Sequence, residues 1–170
     1  MQYSLKPMLE IQVELNEKIY KTQQINPNEI KMQSHLCILI ELMELCNETR
    51  CFNYWSKKTR SSDEAIIEEL ADVMCFLLTE MIDFQDYTIN IDDTITAENN
   101  KQLTCRFYDL AKQFALLDKN KPDTYITFIQ DLFNLGYALG YNIDQIYQGY
   151  VRKVHMNHQV QNNFHNLGEK

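Results

Sequence analysis

Two pairs of acids have the residue types and spacing of a cation site. Glu41 and Glu44 stand in IELMELCNE, and Glu69 and Asp72 stand in EELADVMCF. Within each pair the spacing is i, i+3, so on a helix both members share one face. Glu48 extends the first pair by a turn, either as an outer ligand or as the wet end of the helix. The flanking residues are strongly apolar: Leu36, Ile38, Leu39, Ile40, Leu42, Met43 and Leu45 around the first pair, and Val73, Met74, Leu77 and Leu78 after the second. An acid pair on an ordinary surface helix is simply solvated or salt-bridged. On helices this apolar, a carboxylate is costly to bury unless it is paired or coordinated. Four carboxylates brought together repel one another and their pKa values climb. A hard divalent cation removes the conflict, and Mg²⁺ takes oxygen ligands while keeping waters and substrate phosphates in its shell. The chain contains no E-x-x-H, which argues against a helical di-iron site.

The acids can meet only if their helices fold back on each other. FNYWSKKTRSS, between them, reads as a loop long enough for an antiparallel return. Around this pair the apolar spacing predicts further helices. The first covers about residues 6–22, with Pro7 tolerated in its first turn. The acid-bearing helices cover about 30–50 and 63–84, the second capped by Ser62 or Asp63. The others cover about 101–117, 124–140 with Asp123 as N-cap, and 144–160 started by Asn142 or Asp144. DYTINIDDTITAEN is polar and β-branched and reads as a loop. Gly136 and Gly140 permit either a close helix approach or a helix end. The fold class expected is an all-α antiparallel helical bundle, a single domain over residues 1–170.

Bulk properties agree. With four Gly and three Pro in 170 residues, long helices are expected and a turn-rich β-sandwich is not. A formal net charge of −8 argues against nucleic-acid partners, which need clustered Lys and Arg. It leaves room for an anionic small substrate, because a bound cation reverses the local sign. Five cysteines without a C-x-x-C pair read as reduced thiols. There is no hydrophobic leader, and the longest apolar run is far too short for a membrane span. A cytoplasmic protein with no membrane contact is expected.

Taken in order, ELMELCNE, FNYWS, EELADVMCFLL and YVRKVHMN resemble the dimeric all-α dUTPases of the MazG-like nucleoside-triphosphate pyrophosphatase superfamily. LEIQVELNEKI resembles that family's first helix, and the likeness covers about residues 8–161. The acid skeleton marks only the superfamily. The F-x-x-W-S loop and the Q-x-x-x-N and K-x-x-x-N helices narrow it to the dUTPase branch. By position, the resemblance implies Glu41, Glu44, Glu69 and Asp72 as Mg²⁺ ligands, with Glu44 also orienting or deprotonating the water. It implies a uracil pocket shaped by Gln12, Asn16 and Trp55, whose amides satisfy the base edge and whose indole stacks. Tyr150, Lys153 and Asn157 match residues that touch sugar and phosphates, and Lys57 adds a second cation. Two positions depart from the pattern: Val160, before Gln161, replaces an Arg, and Cys75 stands where the family often has His.

The implied reaction is Mg²⁺-dependent hydrolysis of dUTP, and of dUDP as a possible second substrate, to dUMP. Such a reaction limits uracil in DNA and supplies dUMP for thymidylate synthesis. A homodimer is implied, the second subunit completing or flanking the pocket. Two rivals share these motifs. One is a MazG-like pyrophosphatase for another nucleotide such as dCTP. The other is a nucleotide-responsive regulator that grips a protein partner through the same pocket.

Overall fold

A computed structural model of the chain describes residues 1–84 and 87–168, with side chains as far as residue 163. Six helices carry the fold: α1 (Lys6–Gln23), α2 (Lys31–Thr49), α3 (Asp63–Met81), α4 (Asn100–Phe114), α5 (Pro122–Ala138) and α6 (Ile143–Gly168). The expected all-α bundle is the observed architecture. No described helix is long and apolar enough to cross a membrane.

Local chemistry sets the helix ends. Ser62 caps α3 by accepting from the Ala65 amide, and Asp63 and Glu64 favour its positive N-terminal end. Asn99 and Gln102 form a reciprocal box at the start of α4. Asn142 and Gln145 do the same for α6, each side chain accepting from the other's backbone amide at 3.0 Å. α5 begins on Pro122 itself, so Asp123 lies inside its first turn rather than capping it. Gly140, at φ 99°, follows α5 in a conformation that favours glycine. Gly136 instead serves packing: a Cβ there would come within 2.6 Å of Ile146 Cδ1.

The stretch read as a loop contains a short strand. β2 (Thr88–Asn90) pairs antiparallel with β1 (Gln2–Ser4), Tyr3 opposite Ile89. Ile89 points into the core while Thr88 and Asn90 face out, a period of two too brief to stand out in the sequence. Asp86, at the edge of that predicted loop, lies outside the described residues.

α3 is the central rod, packed against α1, α2, α5 and α6. Ile66, Leu70, Val73, Met74, Leu77, Leu78 and Met81 are almost wholly buried along it, each contributing about 1.5–3 kcal/mol. α6 lies close to α3 because Gly149 faces Ile67: a Cβ at 149 would come within 2.1 Å of Ile67 Cγ2. Of the cysteines, Cys51 and Cys75 are buried, and Cys105 is exposed.

α2 departs from expectation. Its Ile38, Leu42 and Leu45 are buried, but Met32, Leu36, Ile40 and Met43 are 40–76% exposed. α2 packs chiefly against α3 and α4, so part of its circumference is uncovered, and the sequence had apolar residues to spare. A second apolar stripe is left on the surface of the single chain.

Candidate active site

α2 and α3 run antiparallel. His35 Nδ1 sits 3.1 Å from Glu80 Oε2, Glu41 faces Asp72, and the Ser61 amide donates to the Glu48 carbonyl. The pair order descends on one helix as it ascends on the other. This brings carboxylate oxygens of Glu41, Glu69 and Asp72 within 4.8 Å of one another. Glu44 lies outside that tight set and is exposed, yet its charge bears on all three. Glu48 is half-buried and adds its charge against Glu69.

Electrostatics register the crowding. Burial, then the charges of Asp72, Glu44 and Glu69, raise the Glu41 pKa from 4.5 to about 7. Glu69 and Asp72 are raised as well, burial again being the larger cause. Three close, half-buried oxygen ligands of one sign fit a hard divalent cation and leave positions for water and phosphate.

One protein cation already stands there. Lys153 Nζ is 2.6 Å from Asp72 Oδ2 and 2.8 Å from Glu68 Oε1. Burial works against its charge, but the two carboxylates outweigh that and hold its pKa above the ordinary range. Glu68 was not anticipated, although it precedes Asp72 by four positions and so shares its face. A cleft of about 480 Å³ opens beside this group, lined by Glu64, Glu68, Gly149, Arg152, Lys153 and Met156.

A second polar cluster lies farther along α3. Gln12 and Asn16 of α1 are 2% and 6% exposed. Gln12 Nε2 donates to Asn16 Oδ1 (2.9 Å) and Thr79 Oγ1 (3.2 Å), and Asn16 Nδ2 donates to Thr79 Oγ1 (3.1 Å). Tyr150 of α6 is fully buried, its hydroxyl 2.9 Å from both Gln12 Oε1 and the Met8 carbonyl. Burial raises its pKa, which keeps the phenol a neutral donor. Thr79 was missed because a lone Thr on an apolar helix carries no signal.

The two clusters are joined by Cys75. Asp72, Cys75 and Thr79 are i, i+3 and i+7, one face of α3. They span about 10 Å at 1.5 Å per residue. Cys75 feels Asp72 and Glu41 on one side and bears on Tyr150 on the other. Burial, with those acids, pushes its thiol up to about 12, so it stays protonated.

The remaining expected residues are spread out. Trp55 is 67% exposed in the loop after α2, packed edge-on against Tyr54 and 6.0 Å from the Phe52 ring. Lys57 is exposed in the same loop. Asn157 is half-buried, one turn beyond Lys153 on the same face of α6. Val160 is exposed, and the neighbouring Gln161 accepts from Gln23 of α1 at 2.9 Å. Asn53, also in the aromatic loop, has a buried side-chain oxygen without a hydrogen-bond partner.

A helical bundle that converges carboxylates from two antiparallel helices, with a Lys and a cleft beside them, has the parts of an all-α site for a cation and a phosphorylated small molecule. Comparison with known families makes this particular. A family model described as dUTPase matches residues 4–164, and the chain belongs to that family, whose members hydrolyse dUTP. No curated protein matches the chain.

Proposed function

We propose that the chain hydrolyses dUTP to dUMP and pyrophosphate with Mg²⁺ held by Glu41, Glu69 and Asp72, Glu44 completing the set from its exposed edge. The observation that carries this reading is the order of groups on one face of α3: amide-binding hydroxyl, thiol, acid, then the cleft with Arg152 and Lys153. The span from Thr79 to Asp72 suits a nucleoside laid along the helix, base on the amides and first phosphate at the acids. The outer phosphates then reach the cleft, where Arg152 and Lys153 supply positive charge. Asn157 extends that face of α6. Cys75 lies under the sugar, a neutral, small surface in place of a ring.

Bound Mg²⁺ would neutralise the triphosphate and acidify an attacking water. The chain's own residues do the rest. Glu44, beside the acid set but free of the tight cluster, accepts the proton of the water that cleaves between the α and β phosphates. Lys153 is held at Asp72 and Glu68, ready to pair with phosphate oxygen as negative charge shifts onto the leaving pyrophosphate. The test is a panel of dUTP, dUDP, dCTP and dTTP, run with Mg²⁺ and with chelator, products separated by chromatography. dUMP should form from dUTP and only with metal. Equal rates in chelator, or a preference for dCTP, would overturn the reading.

The same reading calls for a homodimer. Phe52 and Trp55 hold together just after α2 ends, near the start of α3. Gln12 and Asn16 meet α3 at Thr79, roughly 24 Å of helix away from Asp63. Trp55 therefore does not cover the amides of its own subunit. A two-fold pairing of the exposed α2 stripes, antiparallel, would carry the partner subunit's aromatic loop toward the His35 end of α2, where the amides lie. An isologous interface of this kind is the commonest in soluble oligomers. The Ile40→Glu variant places a charge in the middle of the stripe. It should run as a monomer by light scattering and lose most of its dUTP affinity. A variant that stays dimeric, or a wild type that is monomeric, would refute the pairing.

A further inference from the structure

From the hydrogen bonds around Thr79, we infer that this residue sets base specificity by locking both pocket amides in one orientation. The inference rests on the proposed binding of the base at Gln12 and Asn16.

A hydroxyl has one proton and two acceptor positions. The shortest contact of Thr79 Oγ1 is to the Cys75 carbonyl, at 2.8 Å, which can only accept. With the proton given there, Oγ1 is left to accept from Gln12 Nε2 at 3.2 Å, while Asn16 turns both ends of its amide toward it, Nδ2 at 3.1 Å and Oδ1 at 3.2 Å. Turning Gln12 over would set its oxygen against Oγ1, and Asn16 is fixed in turn because its Oδ1 accepts the other Gln12 N–H at 2.9 Å. At the other end of Gln12 the single Tyr150 hydroxyl proton is shared between Gln12 Oε1 and the Met8 carbonyl, both at 2.9 Å, so the choice of orientation falls to Thr79. Gln12 has both N–H groups engaged, one on Asn16 Oδ1 and one on Thr79. Asn16 keeps one N–H and part of the capacity of its oxygen.

An amide presenting N–H and C=O side by side matches the adjacent C=O and N–H of a uracil edge. Turned over in the same place, it would match cytosine, whose edge offers an amine and a bare ring nitrogen. Discrimination thus depends on the amide being unable to rotate. A free Asn side chain would accept either base, and a site with a fixed pattern leaves the wrong base with unpaired polar groups. Thr79 is a positioning residue in this scheme and does not itself touch the substrate.

The test compares Thr79→Val, which keeps the shape and removes the oxygen, with Thr79→Ser, which keeps the oxygen. kcat/KM is measured for dUTP and dCTP on each folded dimer. Val should reduce the dUTP:dCTP ratio by at least tenfold, mostly by raising activity or affinity toward dCTP. Ser should keep the ratio within about threefold of wild type, which a purely structural role for the methyl group would not produce. A Val variant with wild-type discrimination overturns the inference and leaves the uracil pocket standing. A wild type that does not discriminate overturns the pocket reading, and Thr79's role with it. If the Val protein does not fold, the side-chain amide NMR signals of Gln12 and Asn16 decide the matter in wild type and Thr79→Ser. Proton–proton contacts that place the Gln12 NH2 group only on the Thr79 side support the lock, and contacts from both sides of the amide refute it.

Discussion

Glu41→Gln should lower kcat for dUTP by about 10²- to 10³-fold, the size expected when one group stabilising charge at a reacting centre is lost. It should also make the metal-free protein more stable at neutral pH. Glu41 lies among Asp72, Glu44 and Glu69, and its pKa stands near 7 against 4.5 for the free side chain. Below about pH 4.5 the carboxyl is protonated in folded and unfolded chains alike, and it costs nothing. Between 4.5 and 7 the unfolded chain releases the proton and the folded one keeps it, so stability falls as pH rises. Above 7 the full penalty is present. A shift of that size corresponds to at most about 3 kcal/mol, and solvent screening of a half-exposed group reduces it to about 1 kcal/mol. Gln carries no charge and escapes the penalty. Metal-free melts should therefore separate mutant from wild type at pH 8 and converge near pH 4.5. Added Mg²⁺ should stabilise wild type at pH 8 and affect the mutant much less. An active Glu41→Gln enzyme, or one that melts like wild type at both pH values, would remove Glu41 from the metal set.

Gly149→Ala should be the most damaging glycine-to-alanine change among the described residues. The added carbon would sit 2.1 Å from Ile67 Cγ2 and 3.7 Å from the Ile67 carbonyl. A β-branched side chain on a helix has almost one rotamer, so Ile67 cannot swing aside. The helices must part, and overpacking of this kind costs about 1–3 kcal/mol. The same separation draws Lys153, one turn along α6, away from Asp72. Turnover should fall together with stability. Gly136→Ala is the natural contrast, because its close neighbour is Cδ1 at the free end of Ile146. Combining Gly149→Ala with Ile67→Ala should recover much of the loss, a coupling expected only if these two residues collide. Additive losses would refute the contact.

The helices were legible because apolar spacing runs along most of the chain, with Ser62 and Asn142 marking two of the starts. The acid set was legible because two i, i+3 acid pairs on helices this apolar are costly to bury unless a cation joins them. What escaped reading depends on tertiary arrangement. Glu68 looks like any surface acid until Lys153 arrives from the far end of the chain. Thr79 gains meaning only from α1. The apolar residues of α2 look alike in the sequence, yet Met32, Leu36, Ile40 and Met43 face outward, since sequence does not say how many neighbours a helix has. Gln12 and Asn16 would pass for solvated residues by pattern alone, and burial makes them a polar core.

The chain has a single tryptophan, and it is Trp55, exposed in the aromatic loop. The protein thus carries one native indole, in the loop that we propose covers the base. Indole emission shifts to shorter wavelength when the ring leaves water. Stopped-flow fluorescence of the unlabelled enzyme, excited at the indole, would therefore report burial of Trp55 on nucleotide binding separately from chemistry. Mixing with a non-hydrolysable nucleotide should give the rate of that burial, and mixing with dUTP should show whether its reversal limits turnover.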